Sequence, residues 1–342
     1  MLHIGLDLSR NRVDVHIADK AGRCLEADAW PTDENGLAHL VDHVGATYPR
    51  QRVLAVVESM NGARFVHDTL ERSGWRVEVA DAQRVKGLAP LTCKTDKIDA
   101  WVLATLSGLD LVPAIWLPGP EVREAREWAR FRLYLVRKRT SLKNRVHATL
   151  ITFGHPCPVS DLFGASGRRL LGRLPIPEPW SSTLCASVSL IDTLNEQIVG
   201  IEDELRLKGA DHPYIPILMT APGIAWVLAY TLAAEIGDIA RFPSPAKLTG
   251  YSGLCPKVHQ SGGSDHRLGL SKHGPRYLRY ALWEATLKAA SHPAYRERYQ
   301  RTRARLGKER GPKVARVEVA RSLSQAIWYM LTNNEPFGPR MA

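Results

Sequence analysis

The chain has 342 residues, of which 44% are hydrophobic, a composition typical of a globular protein with two domains and a connector. Its formal net charge of +11 favours a polyanionic partner, most commonly nucleic acid. Apolar runs fall short of the roughly 20 residues that span a bilayer, and the N-terminus lacks a signal-peptide pattern, so we expect a cytoplasmic protein with no membrane partner. The five cysteines lack paired spacing, which argues against a disulfide framework or a zinc ribbon.

The first third of the chain predicts a sheet flanked by helices. Alternating apolar residues indicate three strands, and a continuous apolar run at 53–57 indicates a fourth that is buried on both faces. Helices are predicted over 34–48 and 63–73, with a strand at 75–80 after the second. A strand meander followed by alternating helices and strands is the order of the ribonuclease H-like fold.

Four acidic residues fall where that fold brings strand and helix ends together. Asp7 lies on the first strand, Glu58 ends the fourth, and Asp96 and Asp99 lie three residues apart at a predicted helix entrance. Carboxylates are the ligands that Mg²⁺ or Mn²⁺ prefers, and two such ions about 3.5 to 4 Å apart support in-line phosphoryl displacement. We predict that these four residues are catalytic and bind metal. The alternative is that Asp96 is an N-cap and Asp99 an acid favoured by the helix dipole.

Two long helices are predicted in the middle of the chain. The first, 121–150, is dense in Arg and Lys, and it either contacts phosphates or presents a solvated face. The phosphate interpretation assigns nucleic-acid binding to residues on this helix, namely Arg130, Arg137 and Lys138. The second helix, 187–207, repeats apolar residues at the spacing of a coiled coil. Between them, 154–180 is rich in Pro and Gly and predicts a connector rather than a folded unit.

The C-terminal half contains two glycine motifs. Pro222-Gly223-Ile224 joins two predicted helices in a helix-hairpin-helix layout, for which a phosphate contact and a purely structural role both stay open. Ser261 precedes two glycines, which permit a ligand to approach the backbone closely, although an ordinary Ser-Gly loop is the alternative. The cations in this region that could balance charge on a reacting phosphate are Arg267, Lys272, Arg276 and Arg279. Helices at 277–290 and 312–332 flank a very basic stretch, 296–310, that we expect to lie on nucleic acid or to be mobile.

Taken in order, these motifs resemble the insertion sequence 110 family of transposases. The motifs that carry the resemblance are Ile4-Gly5-Leu6-Asp7, Val57-Glu58, Lys94-Thr95-Asp96-Lys97-Ile98-Asp99-Ala100, Pro222-Gly223-Ile224, Tyr251-Ser252-Gly253-Leu254, Ser261-Gly262-Gly263 and Ser271-Lys272-His273-Gly274. The resemblance implies a RuvC-like domain in which Asp7, Glu58, Asp96 and Asp99 bind Mg²⁺, with Lys94 beside them on nucleic acid. It also implies that Ser261 attacks DNA to give a serine-phosphate link.

The same resemblance implies partners. These are donor and target DNA, a noncoding bridge RNA from the element's flank, and further copies of the chain in a dimer or tetramer. In that assembly the RuvC-like domain of one subunit completes a site with the serine domain of another. Such a protein is expected to be associated with the nucleoid.

We therefore predict an α/β plus α protein in three parts. These are a ribonuclease H-like (RuvC-like) domain at 1–115, a basic helix, connector and coiled-coil helix at 116–210, and a mostly helical C-terminal transposase domain at 211–342. One competing hypothesis is a RuvC-like metal-dependent structure-specific endonuclease without a covalent intermediate, which would leave free DNA ends. Two others are an actin-like ATPase, which would turn over ATP, and an RNA-binding protein that would tolerate the loss of Asp96 and Asp99.

Overall fold

The computed structural model describes residues 1–89, 95–155, 157, 159–261 and 264–338; at 258–261 and 264–268 it describes the main chain alone. The chain divides into two compact units, Met1–Leu117 and Pro118–Ala342. Within the described ranges, every helix is too short or too polar to cross a membrane.

The first unit is a five-stranded mixed sheet with helices on both faces. Its strands are β1 (Leu2–Leu8), β2 (Arg12–Ala18), β3 (Cys24–Pro31), β4 (Val53–Glu58) and β5 (Arg76–Ala80). The first three form an antiparallel meander, β4 and β5 continue it in parallel, and the order across the sheet is β3-β2-β1-β4-β5. The helices are α1 (Glu34–Thr47), α2 (Ala63–Arg72), α3 (Ala82–Leu88) and α4 (Asp96–Gly108). The predicted N-terminal α/β domain is confirmed.

Alternation along the central strands separates two apolar layers. The side chains of Ile4 and Leu6 on β1 are fully buried in the layer formed with α1 and α2. The opposite face of the sheet is covered by α4, whose Val102 and Leu103 pack with Val56 of β4. Because successive strand residues point to opposite faces, the polar residues between the apolar ones all point to the α4 side.

The second unit is built mainly from helices, as predicted for the C-terminal part. They are α5 (Pro120–Thr152), α6 (Ala165–Leu171), α7 (Trp180–Gly209), α8 (Tyr214–Met219), α9 (Trp226–Ile236), α10 (Pro245–Tyr251), α11 (Arg276–Ala289) and α12 (Pro293–Asn333). A two-stranded hairpin, β6 (Pro256–Ser261) and β7 (Ser264–Leu270), lies between α10 and α11.

Helices α5 and α7 form a long antiparallel pair. Lys208 Nζ lies 2.8 Å from a carboxylate oxygen of Glu124 near one end of the pair. Farther along, Arg139 donates to the side-chain oxygen of Asn195 at 2.8 Å. Of the predicted apolar repeat on α7, Ile191, Ile198 and Leu205 are buried.

The segment 154–180 is folded in its described part, so the prediction of a connector rather than a folded unit was wrong. It contains α6, and its residues Leu162, Leu171 and Ile176 are buried together with Val146 of α5. Its Pro and Gly residues suggested a linker, but its scattered apolar residues cover the end of the α5–α7 pair. Burial of those side chains offsets the entropy cost of ordering the segment.

A buried ion pair joins α5 to α9. Glu235 is fully buried, and Arg130 donates to both of its carboxylate oxygens, at 2.7 and 3.0 Å. Arg126 donates to the main-chain carbonyls of Ala234 and Glu235 at 2.9 and 2.7 Å. Part of the positive charge of α5 therefore takes part in contacts inside the second unit. Arg130, predicted to bind nucleic acid, is held by Glu235.

Helix α12 folds back on itself. Gly307 has a non-helical φ of 76°, and a Cβ added to Gly311 would lie 2.5 Å from the carbonyl oxygen of Arg303. We call 293–306 the first arm and 308–333 the second. Arg298 donates to the hydroxyl of Ser322 across the gap between the arms. The basic stretch 296–310 is therefore helical and forms the end of a helical hairpin.

The Arg130–Glu235 pair predicts a large loss of stability when it is broken. Replacing Arg130 by Ala leaves the Glu235 carboxylate buried without its bidentate partner, which should lower the free energy of unfolding by about 3 kcal/mol. The matched control is Arg301→Ala, because Arg301 pairs with Glu297 on an exposed helix surface and should cost less than about 1 kcal/mol. Urea denaturation measures both, and equal losses would contradict the structural role of Arg130.

Candidate functional site

Helix α4 lies directly on β1 at Gly5. A Cβ built on Gly5 would be 1.8 Å from the carbonyl oxygen of Ala100 and 2.6 Å from the amide nitrogen of Ala104, so only glycine fits. His3, on the same face of β1, shares a buried 2.8 Å hydrogen bond with the hydroxyl of Ser107 near the other end of α4. These two contacts fix the position and direction of the helix over the strand.

Asp7 follows on that face, and the other predicted carboxylates lie around it. Glu58 ends β4, which pairs with β1, while Asp96 and Asp99 lie in the first turn of α4. Burial, followed by the charges of Asp99, Asp96, Glu58 and Asp14, raises the pKa of Asp7 from 3.8 to about 7. Three of the acids predicted from the sequence, Glu58, Asp96 and Asp99, are therefore close enough to the fourth, Asp7, to raise its pKa.

The N-cap of α4 is Thr95 rather than Asp96. Thr95 occupies the N-cap position, and its hydroxyl accepts a hydrogen bond from the amide of Ile98 at 3.4 Å. Asp96 is the first helical residue, and its side chain is 54% exposed. The N-cap interpretation of Asp96 is therefore wrong, and its carboxylate is available for another role.

A fifth acid, Asp14, lies beside these four and was missed in the sequence. It is opposite Asp7 in the antiparallel register of β1 and β2, and it is 1% exposed. Arg12 Nε donates to its Oδ2 at 2.9 Å, and Arg12 Nη2 lies 3.4 Å from Oδ2 of Asp96. The Oδ1 atom of Asp14 is buried without a hydrogen-bond partner among the described residues. The alternation of β2 carries the signal, since Asp14 falls on the polar side of the strand.

The chemistry of this group fits a hard divalent cation. All of the side chains are carboxylates, and burial together with the charges of the neighbouring acids raises the pKa of Asp7. Among the residues that the structure describes, no three His, Cys, Asp or Glu side chains are arranged so that they could share an ion. Holding a cation would therefore require these carboxylates to rotate toward one another.

Ser261 lies at the tip of a β-hairpin that the sequence analysis did not predict. Its main chain pairs with that of Ser264, and residues 262–263 lie outside the described residues. The side chains of Ser261 and Arg267 lie outside them too, as does all of Lys94. Two glycines between segments of six and seven extended residues are a hairpin signal that could have been recognised.

The predicted cations near the base of this hairpin differ in their contacts. Arg279 donates to the main-chain carbonyl of Ser252 at 3.0 Å, and burial lowers its pKa. Arg276 is exposed, with its guanidinium 4.9 Å from the ring centre of Tyr277. Lys272 is exposed with a positive φ of 53°. Lys272 and Arg276 are therefore accessible to a ligand, whereas Arg279 also holds the base of the hairpin.

The remaining predicted nucleic-acid contacts lie on α5. Arg137 is exposed, and its guanidinium lies 5.9 Å and 5.6 Å from the ring centres of Tyr277 and Tyr280. Lys138 is exposed, with its ammonium 5.2 Å from the ring centre of Tyr134. These aromatic contacts orient both cations and leave them at the surface.

The turn of the predicted helix-hairpin-helix packs against α11. Gly223 has a φ of +80°, and a Cβ added to it would lie 2.2 Å from the carbonyl oxygen of Ala285. Because α11 covers this turn at such close range, the structure favours the structural role over a phosphate contact.

Comparisons with known proteins match both units. The DEDD transposase model of insertion sequence 110 matches residues 4–154, and a model described as the transposase IS116/IS110/IS902 family matches 215–300. The transposase for insertion sequence element IS1328 of Yersinia enterocolitica is 27% identical over 82% of this chain and 81% of its own length. An uncharacterized 43.6 kDa protein of insertion element IS110 from Streptomyces coelicolor is 25% identical over 99% and 96%. The pilin gene-inverting protein of Moraxella lacunata is 23% identical over 99% and 98%.

The close contact at Gly5 predicts that adding one methyl group there lowers the stability of the fold. Gly5→Ala should displace α4 and lower the free energy of unfolding by about 1 to 3 kcal/mol. Gly45→Ala is the matched control, because nothing lies within 4 Å of an added Cβ there and alanine favours the interior of α1. Thermal denaturation should therefore show opposite signs for the two variants. A Gly5→Ala protein as stable as the parent would contradict the close packing.

The raised pKa of Asp7 predicts a pH-dependent gain from Asp7→Asn. Between about pH 4 and pH 7 the folded chain keeps a proton on Asp7 that the unfolded chain has released, so stability falls as the pH rises through this window. In metal-free buffer, the variant should melt about 4 °C above the parent at pH 8, the shift that roughly 1 kcal/mol produces. Near pH 4 the two should melt together.

Measuring both proteins at both pH values controls for the other groups that titrate. His3 and His16, whose pKa values are lowered by burial, titrate in both proteins and cancel in the difference. A melting difference that is the same at pH 4 and pH 8 would show that Asp7 does not titrate in this window.

Proposed function

Because the chain belongs to the IS116/IS110/IS902 family of transposases, we propose that it cuts and rejoins DNA with a ribonuclease H-like carboxylate site and a serine nucleophile. The family makes it a DNA transposase or recombinase. The observation that supports the finer proposal is the gathering of Asp7, Glu58, Asp96 and Asp99 on one side of the sheet, with the pKa of Asp7 raised to about 7.

In this proposal the four carboxylates hold Mg²⁺ or Mn²⁺. When bound, the ion supplies Lewis-acid stabilisation of charge on the scissile phosphate and on the leaving oxygen. The chain itself supplies the orientation of the ligands. Gly5 and Ala100 set the height of α4 over β1, and this contact places Asp99 and Asp96 beside the strand that carries Asp7.

Ser261 is the proposed nucleophile. Its Oγ forms a bond to phosphorus as the bond from phosphorus to the leaving sugar oxygen breaks; the hydroxyl proton passes to a base, and the leaving oxygen takes up a proton. The serine-phosphate ester conserves the energy of the cleaved phosphodiester bond, so attack by a new DNA end restores the backbone without ATP. The exposed Lys272 and Arg276 are suited to balance charge on the phosphate near the hairpin.

The partners in this proposal are donor and target DNA, a noncoding bridge RNA and a homo-oligomer. The resemblance to the insertion sequence 110 family is what supports the RNA and the oligomer. A net charge of +11 supports the binding of polyanions in general. Arg137 and Lys138 are exposed on α5 and are proposed contacts for either nucleic acid.

The test is the capture of protein-linked DNA. Full-length protein is incubated with Mg²⁺, the flanking transcript and labelled donor DNA, then denatured and resolved by electrophoresis. Ser261→Ala should abolish the denaturation-resistant adduct and leave RNA binding intact. Ser271→Ala is the matched control, since its hydroxyl makes only a 3.4 Å contact with the carbonyl of Gly253, and it should retain the adduct. Asp99→Asn should lower cleavage by at least about 100-fold, because it removes one of the carboxylates that would hold the divalent ion.

Two outcomes would redirect the proposal. Free DNA ends without an adduct would favour the metal-dependent endonuclease, in which water replaces the serine. An adduct that survives Ser261→Ala would move the nucleophile to Ser264 or Ser271. Ser252 is a poor candidate, because it is fully buried and its hydroxyl donates to the carbonyl of Thr249 at 2.7 Å.

A further inference from the structure

A groove separates the two arms of α12, and all of its lining residues except Arg298 lie beyond residues 215–300 that the family model matches. It encloses a cavity of about 450 Å³. Its charged lining consists of Arg298, Arg301 and Arg305 from the first arm and Glu318 and Arg321 from the second. Four guanidinium groups thus face a single carboxylate in this lining.

The groove stays positive after its ion pairs are considered. Arg301 pairs with Glu297 of the same arm, so four guanidinium groups meet two carboxylates. Glu318 accepts a hydrogen bond from the hydroxyl of Thr302, and its other oxygen lies 3.8 Å from Arg305. Arg298 donates to the hydroxyl of Ser322, and Arg321 donates to the main-chain carbonyl of Leu254 at 2.7 Å. These last two partners are neutral, so they orient the guanidinium groups without cancelling their charge.

The arginines of the first arm form a row along the groove. Arg298, Arg301 and Arg305 recur at intervals of three and four, which places them on one helix face over about 10 Å. Over that length a DNA strand carries about three phosphates. The planar guanidinium matches phosphate oxygens in a bidentate geometry, and helix arms packed against each other hold the row in place.

We propose that the α12 groove binds the phosphate backbone of the DNA on which the enzyme acts. The contact is independent of base sequence, because the lining presents charge and no base-reading pattern. The proposal rests on nucleic acid being the substrate, and it is independent of the carboxylates and of Ser261.

The test compares two charge-matched double variants of the full chain. Arg301→Gln with Arg305→Gln removes two exposed groove cations, whose side chains are 74% and 68% exposed. Arg296→Gln with Arg303→Gln removes the same charge from exposed positions on the same arm. Arg303 lies two residues from Arg301 and Arg305, and Arg296 lies two residues from Arg298, an offset of about 200° around the helix. Affinity for labelled duplex DNA and for labelled RNA is measured by fluorescence anisotropy in EDTA over a series of salt concentrations.

The groove pair should weaken binding by more than about tenfold at moderate salt and reduce the slope of log K against log salt by about 2. The control pair should weaken binding by less than about threefold. Equal losses for the two pairs, or no loss for the groove pair, would overturn the proposal. A wild-type chain that binds no nucleic acid would instead remove the proposed function.

Inorganic phosphate at constant ionic strength serves as a probe for a small-anion site. The proposal fails if the groove binds free phosphate. Phosphate would then raise the melting temperature of the wild type but not of the groove pair, with DNA and RNA affinity the same in both proteins. Circular dichroism of each variant shows whether the helical hairpin is intact. A groove pair that is unfolded is replaced by Arg305→Gln alone, tested against Arg303→Gln by the same criteria.

Discussion

The contact between Gly5 and Ala100 is the constraint on which the N-terminal unit depends. A helix normally packs on a sheet with side chains between them, but here the main chain of α4 meets the main chain of β1 with no room for a Cβ. The close approach brings the first turn of α4 to the level of Asp7, so that Asp99 and Asp96 act on the same carboxyl group. It also gives a physical reason for the small residue after Asp99 in the Lys-Thr-Asp-x-x-Asp-Ala motif.

Placing five carboxylates on one side of a sheet costs stability unless a cation offsets the charge. Within the chain the offset is partial: Arg12 contacts Asp14 and Asp96, and Asp7 takes up a proton more readily than an ordinary aspartate. Such an arrangement favours ligand binding over fold stability. A divalent ion would bind where repulsion is strongest, and the energy released on binding would offset the cost of assembling the acids.

The basic residues of the second unit fall into two groups that look alike in the sequence. Arg126 and Arg130 are used inside the unit, where they satisfy Glu235 and the end of α9. Arg301 and Arg305 are exposed along the α12 groove, where their partners Glu297 and Glu318 do not balance the charge of all four guanidinium groups. A high density of arginine therefore does not by itself identify a nucleic-acid surface, because the partner of each guanidinium decides whether its charge is available.

The sequence alone determined the five strands of the first unit, three of its four helices and the acids Asp7, Glu58, Asp96 and Asp99, because alternation and strand ends are local properties of the chain. It also predicted the mostly helical second unit. It did not show the short helix α3. It did not reveal Asp14, whose relation to Asp7 depends on the register between β1 and β2, or the folded state of 154–180, whose apolar residues need α5 and α7 as partners. The fold-back of α12 and the burial of Glu235 were likewise decided by tertiary structure. In each case the outcome depends on how strands pair or helices pack, which the local pattern of residues does not specify.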